Sequence, residues 1–389
     1  MDRPDSLDSV LTLVREIVDR VVAPAAEEID RDARWPEAGI RALQGAGLGG
    51  LVAPRKAGGL ELGLLALARV GEELGRGCGS TAICFGMHCV ATAVIAAKAT
   101  PLQTSKYLAP IAAGTHLTTL ALSEPGTGSH FYLPEATLER GPGGSFVVDG
   151  TKSFATNGAH ADSMVISVAA DASDVAPGTF SCLVAQTHGH GVEWIDNAWR
   201  GWGMRGNAAC SVRLRKATIG AEDLLGREGD QIWYVFHVIA PYFLMAMAGT
   251  YLGIVAGGLD EARAHLQQRR HNHTGATLSS NTVLQHRLGT LWAEVERTRR
   301  LIYYAAAAGD AGLDEALPAL FSAKAEAATC ATNVLNECMT LLGGIGYRES
   351  SSMQRRLRDA RAAHVMAPTT DILRTWAGRA LLGLPILGD

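Results

Sequence analysis

The sequence lacks concentrated charge of either sign. Its 35 basic and 39 acidic residues are mixed along 389 positions and leave a net charge of −4. It therefore has neither the basic patch that binds nucleic acid nor the polybasic segment that binds a membrane surface. With 47% hydrophobic residues, the chain can bury a large core and is long enough for two or three domains. We expect small molecules or other proteins as its partners, and no nucleic acid or membrane.

Cysteine pairs and a targeting segment are also missing. The seven cysteines are an odd number, lie among small apolar residues and form no C-x-x-C pair with matching histidines, which predicts reduced core residues and no metal site. The opening MDRPDSLDSVL has no basic stretch before an apolar run, so no secretory signal is predicted and a cytoplasmic location follows by default. The least polar stretch, 81–97, is interrupted by His88 and small residues, which favours a buried helix over a membrane span.

Hydrophobic periodicity divides the chain into three regions. Helical spacing dominates residues 1–115, short β-type runs separated by Gly, Asp, Pro and Asn fill residues 116–226, and long helical periods return in residues 227–389. These long periods cover 234–269, 283–308, 315–342 and 353–382. The pattern predicts an α+β protein with an N-terminal helical domain, a middle β-barrel or sandwich domain and a C-terminal four-helix bundle.

Four segments carry the motifs that point to a function. The first, 120–130, reads LALSEPGTGSH and ends a β run in a loop whose backbone N–H groups and hydroxyls can approach a flat polar ring. The others are GTKSFATNG at 150–158, GGIGY at 343–347 and RRLRDAR at 355–361. In this order they resemble the acyl-CoA dehydrogenase family, with its A-L-T-E-P-x-x-G-S-D loop, G-x-K-x-x-I-T-N-G strand, G-G-x-G-Y turn and R-x-x-R-D-A-R helix. The resemblance covers nearly the whole chain.

The resemblance implies an FAD-dependent oxidoreductase of acyl-CoA dehydrogenase type. Within one subunit, the implied contacts to the isoalloxazine ring or the FAD diphosphate come from Leu122, Ser123, Gly128 and Ser129. Phe154 and Thr156 would flank the ring, with the Thr156 hydroxyl facing N5. Thr369 and Asp371 fall at two further cofactor positions.

The resemblance also implies cofactor contacts across a subunit interface, in a homodimer or a homotetramer. Arg269 stands where the family has an arginine that reaches the FAD diphosphate of a neighbouring subunit. Gly343 and Gly344 would meet that same FAD, and Thr340 stands where the family usually has glutamine. The aromatic-glycine pair that follows the arginine in the family is replaced here by 271–273, His-Asn-His, which we interpret as solvated loop residues.

The family's catalytic glutamate is missing from both places where it occurs. Most members carry it in an E-G-T sequence, which reads Ala367-Pro368-Thr369 here, and a smaller group carries it at the position of Phe243. A positioned base typically contributes about 10²–10⁴-fold in rate. Pro368 also removes a backbone N–H and favours an extended Ala367. His130 replaces an aspartate and lies either at the thioester entrance or on the surface.

The resemblance thus implies a substrate pocket without its usual proton acceptor. Its predicted substrate-binding residues are Ser129, His130, Phe243, Ala367 and Pro368. Asp371 and Glu294 are the nearest alternative acids, but the first falls at a cofactor position and the second is better explained as a helix-surface charge. We therefore assign no catalytic residue.

Three functions remain open at this point. The first is α,β-desaturation of an acyl thioester of CoA or of an acyl-carrier protein, with an electron-transfer flavoprotein as redox partner. The second is a flavin-dependent monooxygenase or oxidase on the same scaffold, which takes reduced flavin from a flavin reductase and uses O2. The third is a catalytically silent homologue. Sequence alone does not choose between them, because fold-level resemblance does not determine function.

Overall fold

The computed structural model describes residues 4, 6–169, 179–195 and 199–387. The N-terminal region is helical, and α1 begins after a capping box in which the Ser6 and Ser9 side chains bond each other's backbone N–H groups. Its helices are α1 (Leu7–Ile17), α2 (Ala23–Asp32), α3 (Glu37–Gly45), α4 (Leu64–Gly77), α5 (Gly79–Ala97), α6 (Pro101–Gln103) and α7 (Ala109–Ala112), with π-helical turns at Val18–Val22 and Thr104–Leu108.

The middle region is a β-sandwich of two four-stranded sheets. One sheet has the strand order β1-β4-β5-β8 and the other β2-β3-β7-β6, and among the described strands the β1–β4 pair is parallel and the other pairs are antiparallel. The strands described are β1 (Thr118–Ala121), β2 (Thr137–Arg140), β3 (Phe146–Ala155), β4 (Ser163–Ala169), β5 (Phe180–Gln186), β6 (Val192–Trp194), β7 (Cys210–Ile219) and β8 (Leu224–Leu225). Alternation along β4 explains its burial on both faces, since Met164 and Ile166 pack inside the sandwich and Val165 packs against the helices.

The C-terminal region is a bundle in which α9, α10, α11 and the α12–α13 pair pack together. Its helices are α8 (Gln231–Tyr234), α9 (Ala240–Gln268), α10 (Thr282–Ala311), α11 (Ala316–Leu342), α12 (Ser352–Val365) and α13 (Thr370–Leu381), with a π-helical turn at Val235–Ile239 between α8 and α9. The final helical period, 353–382, is thus two helices rather than one. Pro368 explains the break, because it lacks an N–H and disfavours a helical residue before it.

The predicted fold class is confirmed by this order of helices, sandwich and bundle. The predicted domain limits, 115/116 and 226/227, stay predictions. They fall in the connections between α7 and β1 and between β8 and α8.

Helix α9, which contributes to the site described below, is fixed against α4 through glycines. A methyl group built on Gly253 would lie 2.0 Å from the Glu72 carbonyl oxygen, and one built on Gly75 would lie 2.3 Å from the Thr250 carbonyl oxygen. Only glycine permits this approach of two helix backbones. The glycine contacts therefore hold α9, and with it the C-terminal bundle, in a fixed position relative to the N-terminal helices.

Two helical segments, Gly79–Ala97 and Gln231–Gln268, are long and apolar enough to cross a membrane by length and composition. Of the most apolar stretch in each segment, 89% is buried inside the protein in the first and 83% in the second, so both segments are core helices. The prediction of a buried helix over 81–97 is confirmed. All seven cysteines are buried, as expected of core residues.

Candidate functional site

A cavity of about 800 Å³ lies where the sandwich meets the helices. Its lining includes the loop after β1, the end of β3, the first turn of α9 and the connection between α12 and α13, together with residues of α5, α12 and the segment 199–209. It brings together most of the site residues predicted from sequence. Those that line it are Leu122, Ser123, Gly128, Ser129, Phe154, Thr156, Phe243, Ala367 and Pro368.

The loop after β1 is held by a buried carboxylate. Glu124 accepts hydrogen bonds from the backbone N–H groups of Glu135, at 2.6 Å, and Ala136, at 3.2 Å, and it pairs with the ammonium of Lys152. Burial lowers the pKa of Lys152, and the charge of Glu124 opposes that effect. The Glu124 carboxylate and the Lys152 ammonium thus both have hydrogen-bond partners inside the protein. These contacts fix the position of the loop that begins at Ser123.

The end of β3 carries a β-bulge that turns two side chains toward the cavity. Lys152 pairs with Val212 and Ala155 with Cys210, so Ser153 and Phe154 stand opposite a single residue of β7. Phe154 has φ of +56°, which is unusual for a bulky residue, and its side chain is 63% exposed. The Ser153 N–H donates to the Ser123 carbonyl at 2.7 Å and joins the end of β3 to the loop after β1. An unfavourable backbone conformation that presents an aromatic side chain to a cavity indicates a binding role.

The turn that follows Phe154 is anchored to the N-terminal helices. The Asn157 side chain accepts from Trp35 Nε1 at 3.0 Å and donates to the Cys84 carbonyl at 2.9 Å. The Thr156 carbonyl accepts from the Thr119 hydroxyl at 2.5 Å. Thr156 is therefore held from both sides, and it lines the cavity from a fixed position.

The opposite wall of the cavity is apolar, and both family base positions belong to it. Phe243, in the first turn of α9, and Ala367, between α12 and α13, line the same cavity although 124 positions separate them. Among the described residues that line it, Glu124 alone has an ionisable side chain, and its carboxylate is occupied by Lys152 and two backbone donors. The described part of the wall thus offers no free carboxylate or imidazole as a proton acceptor.

Several predicted site residues lie outside this cavity. His130, Asp371 and the predicted interface residues are exposed, and Thr369 is half-buried beside the wall. The predicted interface residues are Arg269, Thr340, Gly343 and Gly344. Their exposure leaves them accessible to a second subunit, and their roles stay predictions. Glu294, the other acid considered, does not line the cavity either.

The structure also brings in residues that sequence reasoning missed. Ile83 and Met87 of α5 extend the apolar wall, and Trp199 packs edge-on against Phe154 with ring centroids 6.0 Å apart. Lys324 of α11 contacts the backbone of the Ala367 segment from behind. A lone lysine in an alanine-rich stretch, LFSAKAEAA, was the available signal for Lys324.

The donor set of the cavity fits a flavin. The Ser123, Ser129 and Thr156 side chains supply hydroxyl groups at one side, and Phe154 with Trp199 supplies an exposed aromatic surface for a flat ring. The large apolar remainder leaves room for an uncharged chain. These features fit a flavin-binding cavity with additional apolar space beside it.

Comparison with known proteins agrees with this geometry. Three acyl-CoA dehydrogenase family models match the chain: the N-terminal domain over residues 4–115, the middle domain over 119–217 and the C-terminal domain over 244–382. The chain therefore belongs to the acyl-CoA dehydrogenase family. It is an oxidoreductase of that type with FAD as cofactor, as predicted.

Individual relatives match over almost their entire length. The cyclohex-1-ene-1-carbonyl-CoA dehydrogenase of Geobacter metallireducens is 31% identical over 96% of this chain and 97% of its own. The structure of butyryl-CoA dehydrogenase from Megasphaera elsdenii superposes with a TM-score of 0.90 at 24% identity, covering 98% of this chain and 99% of its own. That of the prolyl acyl carrier protein oxidase AnaB superposes with a TM-score of 0.83 at 21% identity, over 96% and 98%. At these identities the two structures establish the fold alone.

Proposed function

We propose that the protein desaturates an acyl thioester, of CoA or of a carrier protein, in this cavity without a carboxylate at either family base position. The supporting observation is that one apolar cavity is lined both by the hydroxyl-bearing segments predicted to bind FAD and by the two family base positions, Phe243 and Ala367. The 31% identical relative, a dehydrogenase of an acyl-CoA, matches over nearly the whole chain. The segments predicted to bind FAD keep their motifs, whereas the wall that carries Phe243 and Ala367 has lost the family's base. This combination is consistent with hydride transfer to FAD that is retained and with a different acceptor for the α-proton.

The chain's own residues define what the site can do. FAD, when bound, supplies a two-electron acceptor for the hydride that leaves the β-carbon. Ser123, Ser129 and Thr156 hold and orient that cofactor, while Phe243 and Ala367 exclude water from the opposite side. The α-proton passes to a basic group of the substrate itself, because water is excluded from this side and Glu124, the ionisable residue among the described lining residues, is paired with Lys152. We therefore infer a substrate whose α-hydrogen is more acidic than that of a simple saturated acyl thioester.

Oxygen chemistry is the second candidate function. A wall whose described lining residues carry no free ionisable group favours reactions of reduced flavin that water would disrupt. This function requires a flavin reductase and O2, whereas desaturation requires an acceptor such as an electron-transfer flavoprotein. In either case we propose a homodimer or homotetramer in which Arg269, Gly343 and Gly344 reach a neighbouring subunit's FAD. A cytoplasmic location stays a prediction.

An anaerobic titration of the FAD-loaded protein with acyl-CoA thioesters separates these functions. The panel includes saturated straight, branched and cyclic chains and, for each, an analogue with an additional unsaturation that acidifies the α-hydrogen. Bleaching of the visible flavin band by the activated members supports desaturation. If every member leaves the band unchanged and a reductase with NAD(P)H drives oxygen consumption, oxygen chemistry replaces it. If neither response occurs, the homologue is silent.

The wall is tested by placing a base in it. Ala367→Glu should raise the rate of anaerobic flavin bleaching by a saturated acyl-CoA about 10²–10⁴-fold, because it restores a carboxylate to a cavity-lining position. Ala367→Gln has nearly the same shape without a base and is the matched control. Equal rates for the Glu and Gln variants, both with full FAD content, would contradict the assignment of this wall to the proton-acceptor position.

A further inference from the structure

Lys324 is a buried lysine without an ion-pair partner among the described residues. Its side chain is fully buried in the middle of α11 (Ala316–Leu342), a helix whose neighbouring positions are mostly alanine. The lysines that form ion pairs in the described part of the chain are Lys98, Lys106 and Lys152. Burial of a lysine is unfavourable unless its hydrogen bonds are satisfied, so the partners of its Nζ atom identify its role.

Those partners are three backbone carbonyls around the cavity wall. Lys324 Nζ donates to the carbonyl oxygens of Ala363 at 2.8 Å, Met366 at 3.1 Å and Pro368 at 2.9 Å. A lysine ammonium has three N–H donors, so the set is complete. Ala363 lies in the last turn of α12, where helix carbonyls have no partner within the helix and attract a cation. The other two carbonyls belong to the residues on either side of Ala367.

We propose that Lys324 is the positioning residue of the cavity wall at residue 367. It holds the carbonyls before and after Ala367 toward α11, and the side chain at 367 is thereby presented to the cavity. This connection breaks the helical period between α12 and α13, so the clamp replaces the regular hydrogen bonds that a continuous helix would supply. The inference concerns the wall itself and holds for whichever reaction the cavity supports.

The burial of Lys324 indicates that it acts through its hydrogen bonds to the three carbonyls and not through an ion pair. It lowers the pKa of Lys324 to about 7, since no anion is placed to stabilise the ammonium. Lys152 differs, because its buried ammonium faces the Glu124 carboxylate. An uncharged side chain that donates hydrogen bonds should therefore replace part of the function of Lys324, and an apolar one of the same length should not.

The direct test is hydrogen–deuterium exchange of the FAD-loaded protein. In Lys324→Met, the amides of residues 364–373 should exchange at least tenfold faster than in the wild type, while those of β3 and β4 remain unchanged. In Lys324→Gln, whose side chain keeps two N–H donors, the exchange rate at 364–373 should lie between those of the wild type and the Met variant. The Gln variant also takes the place of the Met variant if that protein does not fold. Lys98→Met is the control, since it removes a lysine ion pair with Asp230 outside the cavity lining. Unchanged exchange at 364–373, or the same pattern in the Lys98 variant, would overturn the proposal.

A second measurement asks whether the clamp acts on residue 367. In the Ala367→Glu background, Lys324→Gln should lower the limiting rate of flavin bleaching at least tenfold at unchanged FAD content, with little change in the acyl-CoA concentration for half-saturation. An equal loss of rate in the Lys98→Met, Ala367→Glu protein would contradict a positioning role. If Ala367→Glu itself gains no activity, the assignment of this wall to the proton-acceptor position fails, and the exchange experiment still decides the role of Lys324.

Discussion

The pair of Glu124 and Lys152 gives the sharpest prediction about the cofactor side of the site. Both side chains are almost completely buried, at 3% and 0% exposure, and Lys152 bonds Glu124 and the Ser167 carbonyl. Lys152→Met keeps the length of the side chain but leaves the Glu124 carboxylate in the protein without its cation. Loss of one partner of a buried pair costs about 3–5 kcal/mol, because the remaining charge is uncompensated. We expect a loss of that size in the free energy of unfolding.

The same change should weaken FAD binding. Glu124 holds the loop through the N–H groups of Glu135 and Ala136, and the adjacent Ser123 accepts a hydrogen bond from Ser153 at the end of β3, where the second predicted FAD-binding segment lies. We expect the loop to shift in Lys152→Met and the FAD affinity to fall about tenfold, which corresponds to a loss of about 1.4 kcal/mol in binding free energy. The assays are urea unfolding followed by circular dichroism, and titration of the apoprotein with FAD followed by flavin fluorescence.

A double-mutant cycle provides the control for this prediction. Glu124→Gln combined with Lys152→Met removes both charges, so its loss of stability should be clearly smaller than the sum of the two single losses. Additive losses would show that the two residues do not act as a pair. A Lys152→Met protein with wild-type stability and FAD affinity would refute the reasoning altogether.

Two further predictions concern other parts of the molecule. Burial lowers the pKa of His88 to about 4, and its neutral ring donates from Nε2 to the Gly49 carbonyl and accepts at Nδ1 from the Thr118 N–H. Because the unfolded chain binds a proton near pH 6.5 and the folded chain does not, the free energy of unfolding should fall as the pH drops from about 6.5 to 4. His88→Gln should show a smaller fall, measured by urea unfolding across that range, and an identical fall would contradict this role. Arg269→Ala should lower FAD affinity at least tenfold without changing the acyl-chain preference of anaerobic bleaching, with Arg270→Ala as control; unchanged affinity would remove Arg269 from the cofactor site.

One side of the cavity was predictable because its residues lie in two short segments of the sequence. The loop 120–130 and the strand end 150–158 carry local motifs, and the residues predicted from them line the cavity except for His130, which is exposed. The break at Pro368 follows from local rules, although the helical period around it indicated one continuous segment. The bulge at Ser153 and Phe154 was not predictable, since it depends on the register between β3 and β7.

The wall shows the limit of local reasoning. The sequence by itself determined that neither Phe243 nor Ala367 can accept a proton, since that is a property of the side chains alone. Whether both positions face one cavity, whether Glu124 is free, and what satisfies Lys324 depend on contacts between residues far apart in the chain. Periodicity specifies which face of a helix is buried, but not which distant carbonyl or carboxylate lies opposite a given side chain. Domain packing decided those contacts, and with them the chemistry open to the site.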